Sequence, residues 1–295
     1  PPRARIAVAT LLPPTFGGVA DHSAHLLTEM AKIADVTAFV TDDAAEVAGD
    51  NVWEFPVEAV RTLPSRVAMG DFDHVVYCMG NNEMHAPFVP MLGLTPGHLL
   101  LHDVRLSGCA DAATRAFGFR RDDDDAGDYD ADGADRGLGM KSIIRLGASV
   151  MVHSTHARDL VADETSLAAM DVGPLPYPSD VTIARTPSAS NPLVVSAGIA
   201  HTSKGSDLFA TAMADLVTRR TDVAAALVGA GGNRWVPLAS DRDRFAPVPG
   251  DVVATGDASA ELFDTWLAAA SVAVQLRRTT NGESSGVVAQ LLARG

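Results

Sequence analysis

The sequence predicts an α/β protein built from two parallel-sheet domains, and three observations lead there. Short apolar, β-branched runs alternate with amphipathic helical stretches along most of the chain. A proline-rich interruption falls beyond the middle, and the alternation restarts after it. The 295 residues exceed one ordinary domain and suit two.

Five runs read as strands in the first half: Arg5 to Leu11, Val36 to Val40, His74 to Met79, His98 to His102 and Ala148 to His153. Helical patterns lie near Ala20 to Ile33, Glu58 to Met69 and Glu83 to Leu92. Continuous apolar strands separated by helices imply a parallel sheet covered on both faces. The stretch Gly173-Pro174-Leu175-Pro176-Tyr177-Pro178, followed by Arg185 to Pro192, is rich in turn-formers. Proline restricts its own backbone and that of its predecessor, so the first periodic region ends here.

Beyond it come a strand at Leu193 to Gly198, a helix at Ser206 to Thr218 and a strand at Ala224 to Gly229. Then follow a strand at Val252 to Gly256, a helix at Ala258 to Ala270, a strand at Val272 to Leu276 and a helix from about Ser285. The expected domains are 1–178, a linker 179–192, and 193–295. The chain opens at Pro1 without methionine and stops at Gly295 soon after a helix begins, so both ends are expected to be cut and the second domain incomplete.

Composition excludes several classes. With 47% hydrophobic and 20% charged residues the chain is globular, and a net charge of -14 argues against a nucleic-acid partner. Its two cysteines, Cys78 and Cys109, suggest neither a disulfide scaffold nor a zinc site, and a cytoplasmic location is expected. No run approaches transmembrane length, which leaves peripheral membrane contact as the membrane option.

About 107–140 an acidic loop is expected, with Arg120-Arg121 followed by four aspartates and Asp128-x-Asp130-x-Asp132-Gly133. That spacing matches the opening of a calcium loop. The twelfth position is Gly139, which has no carboxylate, so a solvated loop is the reading taken.

Chemistry concentrates where strands end. Gly17 and Gly18 follow the first strand and precede a helix, where backbone can approach a ligand and a helix N-terminus favours an anion. Asn81, His85, His102 and Asp103 stand after the third and fourth strands, the side on which open α/β sheets bind ligands. The alternative is that Asn81 and Asn82 cap the next helix and His102 packs with Asp103. In the second domain Gly198 ends a strand, and Lys204 opens a helix against its dipole, a placement an anion would favour. Arg277 and Arg278 suit phosphate oxygens, and Glu283 suits sugar or ribose hydroxyls. Backbone N–H groups near Ser284, Ser285 and Gly286 start another helix, with Gln290 a turn later.

In this order the pieces resemble a family, the GT-B glycosyltransferases of retaining family 4. The matching residues are Gly17-Gly18-Val19-Ala20, Gly80-Asn81 with His85, Leu101-His102-Asp103 and Val152-His153-Ser154. They continue with Gly198, Lys204-Gly205, Leu227 to Gly231, and Gln275-Leu276-Arg277 with Gly282-Glu283-x-Ser285-Gly286. The resemblance implies two Rossmann-like domains facing a cleft, and transfer of a sugar from a nucleotide-diphosphate sugar to a glycan, lipid-linked or small-molecule acceptor. It implies retention of anomeric configuration, no metal and no cofactor beyond the donor.

By the same resemblance, Gly17 and Gly18 border the cleft, His102 approaches the transferred sugar and Lys204 meets the diphosphate with Arg277 or Arg278. Glu283 holds sugar hydroxyls, while Asn81, His85 and Asp103 are assigned to the acceptor. Two positions depart from the family: Ile199 stands where many members carry arginine, and Gln290 replaces a second glutamate. A neutral amide binds hydroxyls less strongly than a carboxylate. A sugar-nucleotide epimerase and a non-catalytic nucleotide-sugar-binding subunit are the alternatives. A dehydrogenase is not supported, because Gly229-Ala230-Gly231-Gly232-Asn233-Arg234 puts Arg234 where the third glycine of its fingerprint belongs.

Overall fold

The structure, a computed structural model, describes residues 2–15, 17–48, 53–118, 138–173, 191–240, 243–283 and 285–294. The chain divides into two compact units: Pro1–Leu175 with Asn281–Ser284, and Pro176–Thr280 with Ser285–Gly295. Most of the linker expected at 179–192 lies outside the described residues.

In unit 1, β1 (Arg5–Ala9), α1 (Gly18–Ala31), β2 (Asp35–Val40), α2 (Asp42–Ala48) and β3 (Val57–Ala59) form the first half. A short α3 (Leu63–Ala68) leads to β4 (His74–Met79), α4 (Phe88–Leu94) and β5 (His98–Leu101). Then come α5 (Ser107–Phe117), α6 (Leu138–Leu146), β6 (Ser149–Val152), α7 (Thr155–Thr165) and β7 (Ala169–Asp171). The seven strands form one sheet in the order β3-β2-β1-β4-β5-β6-β7, with every pair parallel.

Alternate residues of each strand enter opposite cores. Ala7, Ala9, Tyr77, Met79, Leu99 and Leu101 join one cluster, whereas Val8, Cys78 and Leu100 join the other. The sheet is therefore covered on both faces, as unbroken apolar strands require.

Unit 2 repeats the plan on a smaller scale. It comprises β8 (Leu193–Ala197), α8 (Ser206–Arg219), β9 (Ala224–Val228), β10 (Val252–Gly256), α9 (Ala260–Ala269), β11 (Val272–Ala273) and α10 (Gly286–Arg294). The parallel order is β10-β9-β8-β11, again with the first strand inside and the fourth on its other side. Val195 and Ala226 face one core, Val194 and Ala225 the other. Among the described residues no helix is long and apolar enough to cross a membrane.

Three sequence expectations are corrected. The helix expected over Glu58 to Met69 opens instead as β3 and a 3-10 turn at Val60–Thr62, because Ala38 to Val40 supply a strand edge for Val57 to Ala59. The helix expected from Glu83 begins as a 3-10 turn at Glu83–His85, and α4 starts only at Phe88. The segment expected as a loop from about 107 holds α5, whose Cys109, Ala112 and Ala113 are buried, and α6 starts at Leu138. The aspartate run of that segment lies outside the described residues.

The two glycines that end β8 and β9 approach closely. Gly229 has φ +117, and a Cβ there would lie 2.7 Å from the Gly198 carbonyl oxygen. Gly229→Ala should therefore cost of the order of 2–3 kcal/mol in chemical denaturation. Gly286→Ala, whose Cβ would meet nothing within 4 Å, should change stability by less than about 0.5 kcal/mol.

Candidate functional site

Open parallel sheets bind ligands beyond the carboxyl ends of their strands, where the strand order reverses. In unit 2 that point lies between β8 and β11. Gly198 leaves β8 with φ +99, and its N–H donates to the Val228 carbonyl at 2.9 Å. The chain then forms a 3-10 turn, Thr202–Lys204, ahead of α8. This turn brings the Lys204 ammonium back over Gly198, with Nζ 3.7 Å from where a Cβ would stand. From the other side the first turn of α10 arrives, and Val287 Cγ2 lies 3.5 Å from the same point.

Ser285 orders the start of α10, with its Oγ accepting from Val288 N–H at 3.3 Å and its carbonyl from Ala289 N–H at 3.1 Å. Gly286, the first residue of α10, has open space where a side chain would be. A cation, a helix N-terminus and a bare glycine thus converge, which is the chemistry of an anion cradle.

The arginines expected beside Lys204 part ways. Arg278 pairs with Asp207 at 2.7 Å, and its N–H donates to the Ser203 carbonyl, so it braces the Lys204 turn. Arg277 is exposed, and its guanidinium donates to the Leu276 carbonyl at 2.9 Å. Gln290 sits on α10, its carbonyl bonded to Arg294 and its side-chain oxygen buried without a partner. Ile199 is 63% exposed, so the position where the family pattern has arginine is occupied by an apolar side chain facing water.

Glu283 lies in the segment that groups with unit 1. Its carboxylate accepts from the Asn281 N–H at 2.7 Å, while the Asn281 carbonyl accepts from Val104 and Arg105 N–H. Gly282 packs so closely against Val104 that a Cβ would be 2.7 Å from Val104 Cγ2. Ser284 lies outside the described residues.

In unit 1 the order reverses between β1 and β4. Gly17 caps α1 at φ 141 and ψ 153, a conformation reserved for glycine, and neither it nor Gly18 has a neighbour within 4 Å of a notional Cβ. After β4, Asn81 is committed to structure. Its N–H donates to Asp103 at 2.7 Å, and its Oδ1 accepts from Gly108 N–H at 2.6 Å, capping α5. Asn82 caps the next turn through Met84 N–H. His85 is fully buried and tilted against Phe88. Asn81 is thus a capping side chain and His85 a core side chain. Asp103 accepts the Asn81 N–H.

His102 follows β5 and is buried. It packs against His22 and His153, with ring centres 4.8 and 4.9 Å away, and His22 and His153 are 5.2 Å apart. All three are buried. Sequence reasoning gave His22 and His153 no role. The signal lay in strand register: Leu101 pairs with Val152, so His102 and His153 leave neighbouring parallel strands side by side. Burial, reinforced by the neighbouring histidines, lowers His22 to about 4 and holds His102 well below the usual histidine value. Burial also lowers His153, with partial opposition from Gly173 and Asp171.

No family model matches the chain, and no curated protein matches it in sequence. Solved structures match it in fold. WaaG, a glycosyltransferase involved in lipopolysaccharide biosynthesis, aligns at TM-score 0.60 and 13% identity, over 98% of this chain and 79% of WaaG. The glycotransferase of kitacinnamycin aligns at 0.50 and 13%, over 92% of this chain and 75% of its own. The Thermobaculum terrenum O-GlcNAc transferase aligns at 0.51 and 12%, over 98% of this chain and 51% of its own. The fold of these neighbours is GT-B, and this chain shares it as two units with parallel sheets.

The buried histidines make stability depend on acid. His22 and His85 are held near 4, whereas an unfolded histidine titrates near 6.5. Between those values the unfolded chain binds more protons, so their stabilising effect is full above pH 6.5 and is lost as pH falls towards 4. Each tenfold difference in proton affinity is worth about 1.4 kcal/mol. Thermal unfolding should show a falling midpoint from pH 7 to 4.5, and a shallower fall in His22→Asn. Equal slopes in the two proteins would contradict this.

Proposed function

We propose that this chain is a glycosyltransferase that moves a sugar from a nucleotide-diphosphate sugar to a hydroxyl of a glycan, lipid-linked or small-molecule acceptor. The observation that carries the reading is the convergence of Lys204 and the first turn of α10 on Gly198. A diphosphate fits such a place because its charge is met by a fixed cation and by N–H groups that need no rearrangement.

In the reaction the bond between the anomeric carbon and the diphosphate breaks as the acceptor oxygen bonds to that carbon. Negative charge grows on the departing diphosphate, and groups already aimed at it stabilise the transition state more than the ground state. Lys204 and the N-terminal amides of α10 take this part, together with Arg277. Arg278 holds the Lys204 turn through Asp207. The leaving diphosphate takes the acceptor's proton, so no separate base is assigned. Glu283 is kept for sugar hydroxyls and Gln290 for the ribose.

His102 is kept beside the transferred sugar. Retention of configuration and independence from metal belong to this proposal and rest on the family resemblance.

A second reading, a non-catalytic nucleotide-sugar-binding subunit, is favoured by the exposed Ile199 and the unpartnered Gln290 oxygen. Both readings require donor binding, and turnover separates them.

Calorimetric titration with UDP-, GDP-, ADP- and dTDP-sugars should reveal saturable binding of one nucleotide class. Lys204→Ala should weaken it by about 10- to 100-fold, the loss of one charge-assisted hydrogen bond set. Absence of binding to the folded wild-type protein, or unchanged affinity in Lys204→Ala, would overturn the assignment. Release of nucleoside diphosphate with transfer to acceptor, undiminished by a chelator, would favour the enzyme over the subunit.

A further inference from the structure

Around His102 unit 1 holds a feature that sugar transfer does not explain. His22 comes from the second turn of α1, His102 from the end of β5 and His153 from the end of β6. Each has less than a tenth of its surface exposed. Both ring nitrogens of His22, and Nε2 of both His102 and His153, are buried without a hydrogen-bond partner. A buried polar atom left unpaired costs about 1–3 kcal/mol, so such an atom on each of three adjacent rings calls for an occupant.

The geometry selects the kind of occupant. One nitrogen from each ring can be chosen so that the three lie within 4.8 Å of one another. Three imidazoles bound at about 2.1 Å to one tetrahedral ion have ring centres roughly 5 Å apart, and the spacings here are 4.8, 4.9 and 5.2 Å. The ring centres are therefore almost where such an ion would hold them. Closure of the nitrogens to roughly 3.4 Å remains for the ion to complete.

The surroundings favour the same occupant. His153 Nδ1 lies 3.3 Å from the Gly173 carbonyl, which makes it the protonated nitrogen and turns the Nε2 lone pair free for coordination. Gly173 is itself held by the Asp171 carboxylate through its N–H at 2.9 Å. An outer partner of this type fixes ring orientation and raises ligand basicity.

We infer that His22, His102 and His153 form a binding site for one divalent first-row transition ion, with zinc as the reference occupant. An all-imidazole set suits zinc, copper, nickel or cobalt and does not suit magnesium or calcium, which take oxygen donors. Three protein ligands leave the fourth tetrahedral position to water or an anion. Its three ligands all lie in unit 1, and the Lys204 cradle lies in unit 2.

The test is calorimetric titration of chelator-stripped full chain with Zn²⁺ at pH 7.5 without nucleotide, joined to the visible absorption of the Co²⁺-loaded protein. One equivalent of Zn²⁺ should bind, and Co²⁺ should show the intense bands of a tetrahedral site. His22→Asn and His153→Asn should each weaken Zn²⁺ binding at least 100-fold with the circular dichroism retained. His25→Asn and His156→Asn, at exposed positions on α1 and α7, should leave it unchanged, as should Lys204→Ala. Absence of saturable binding to the folded wild type would overturn the site, and so would stoichiometric binding that survives His22→Asn. Should a cluster variant unfold, an octahedral Co²⁺ spectrum in the wild type would still overturn it. Failure here leaves the donor titrations untouched, and the reverse also holds.

Discussion

A parallel sheet buried on both faces is the constraint from which the rest follows. Its strands cannot be joined by hairpins, so every link crosses the sheet and every strand points its carboxyl end the same way. Strand order must reverse somewhere, and at the reversal the loops part to opposite faces, leaving the backbone approachable. Unit 1 reverses between β1 and β4 and unit 2 between β8 and β11. Gly17 and Gly198 stand at these two places, each with a backbone that only glycine adopts readily.

Unit 2 spends its reversal point on charge. The Gly198–Gly229 contact sets the two loops at a distance no side chain could permit, and the Lys204 ammonium folds back over the bare glycine. Arg278 is drawn aside by Asp207, which keeps the Lys204 turn in place instead of adding a second cation. Unit 1 spends its carboxyl ends differently: Asn81 ties β4 to α5 and Asp103, and histidines from three elements fill the adjacent space. The same layout thus gathers a lysine and a helix start at a bare glycine in one unit and three packed histidines in the other.

How far the sequence disclosed this depends on the range of the interaction. His74 to Met79 and Val252 to Gly256 read as strands because a strand buried on both faces is apolar without interruption. Val57 to Ala59 escaped, since three residues carry no period and their strand exists only through pairing with β2. Helix α5 was hidden by small residues whose burial follows from tertiary contact. Lys204 was legible as a cation misplaced on a helix dipole. The commitment of Asn81 to Gly108, 27 residues away, and the meeting of His22 with His153 were not, because both need the register of the sheet. The resemblance to GT-B glycosyltransferases compressed that long-range information into a pattern and led to the fold.

The most direct measurement is a crystal structure with a nucleoside diphosphate of the class that binds. The account predicts the diphosphate against Gly198, with oxygens in hydrogen-bond reach of Lys204 Nζ and the first N–H groups of α10. A nucleotide bound elsewhere, with Lys204 turned away from its phosphates, would contradict it.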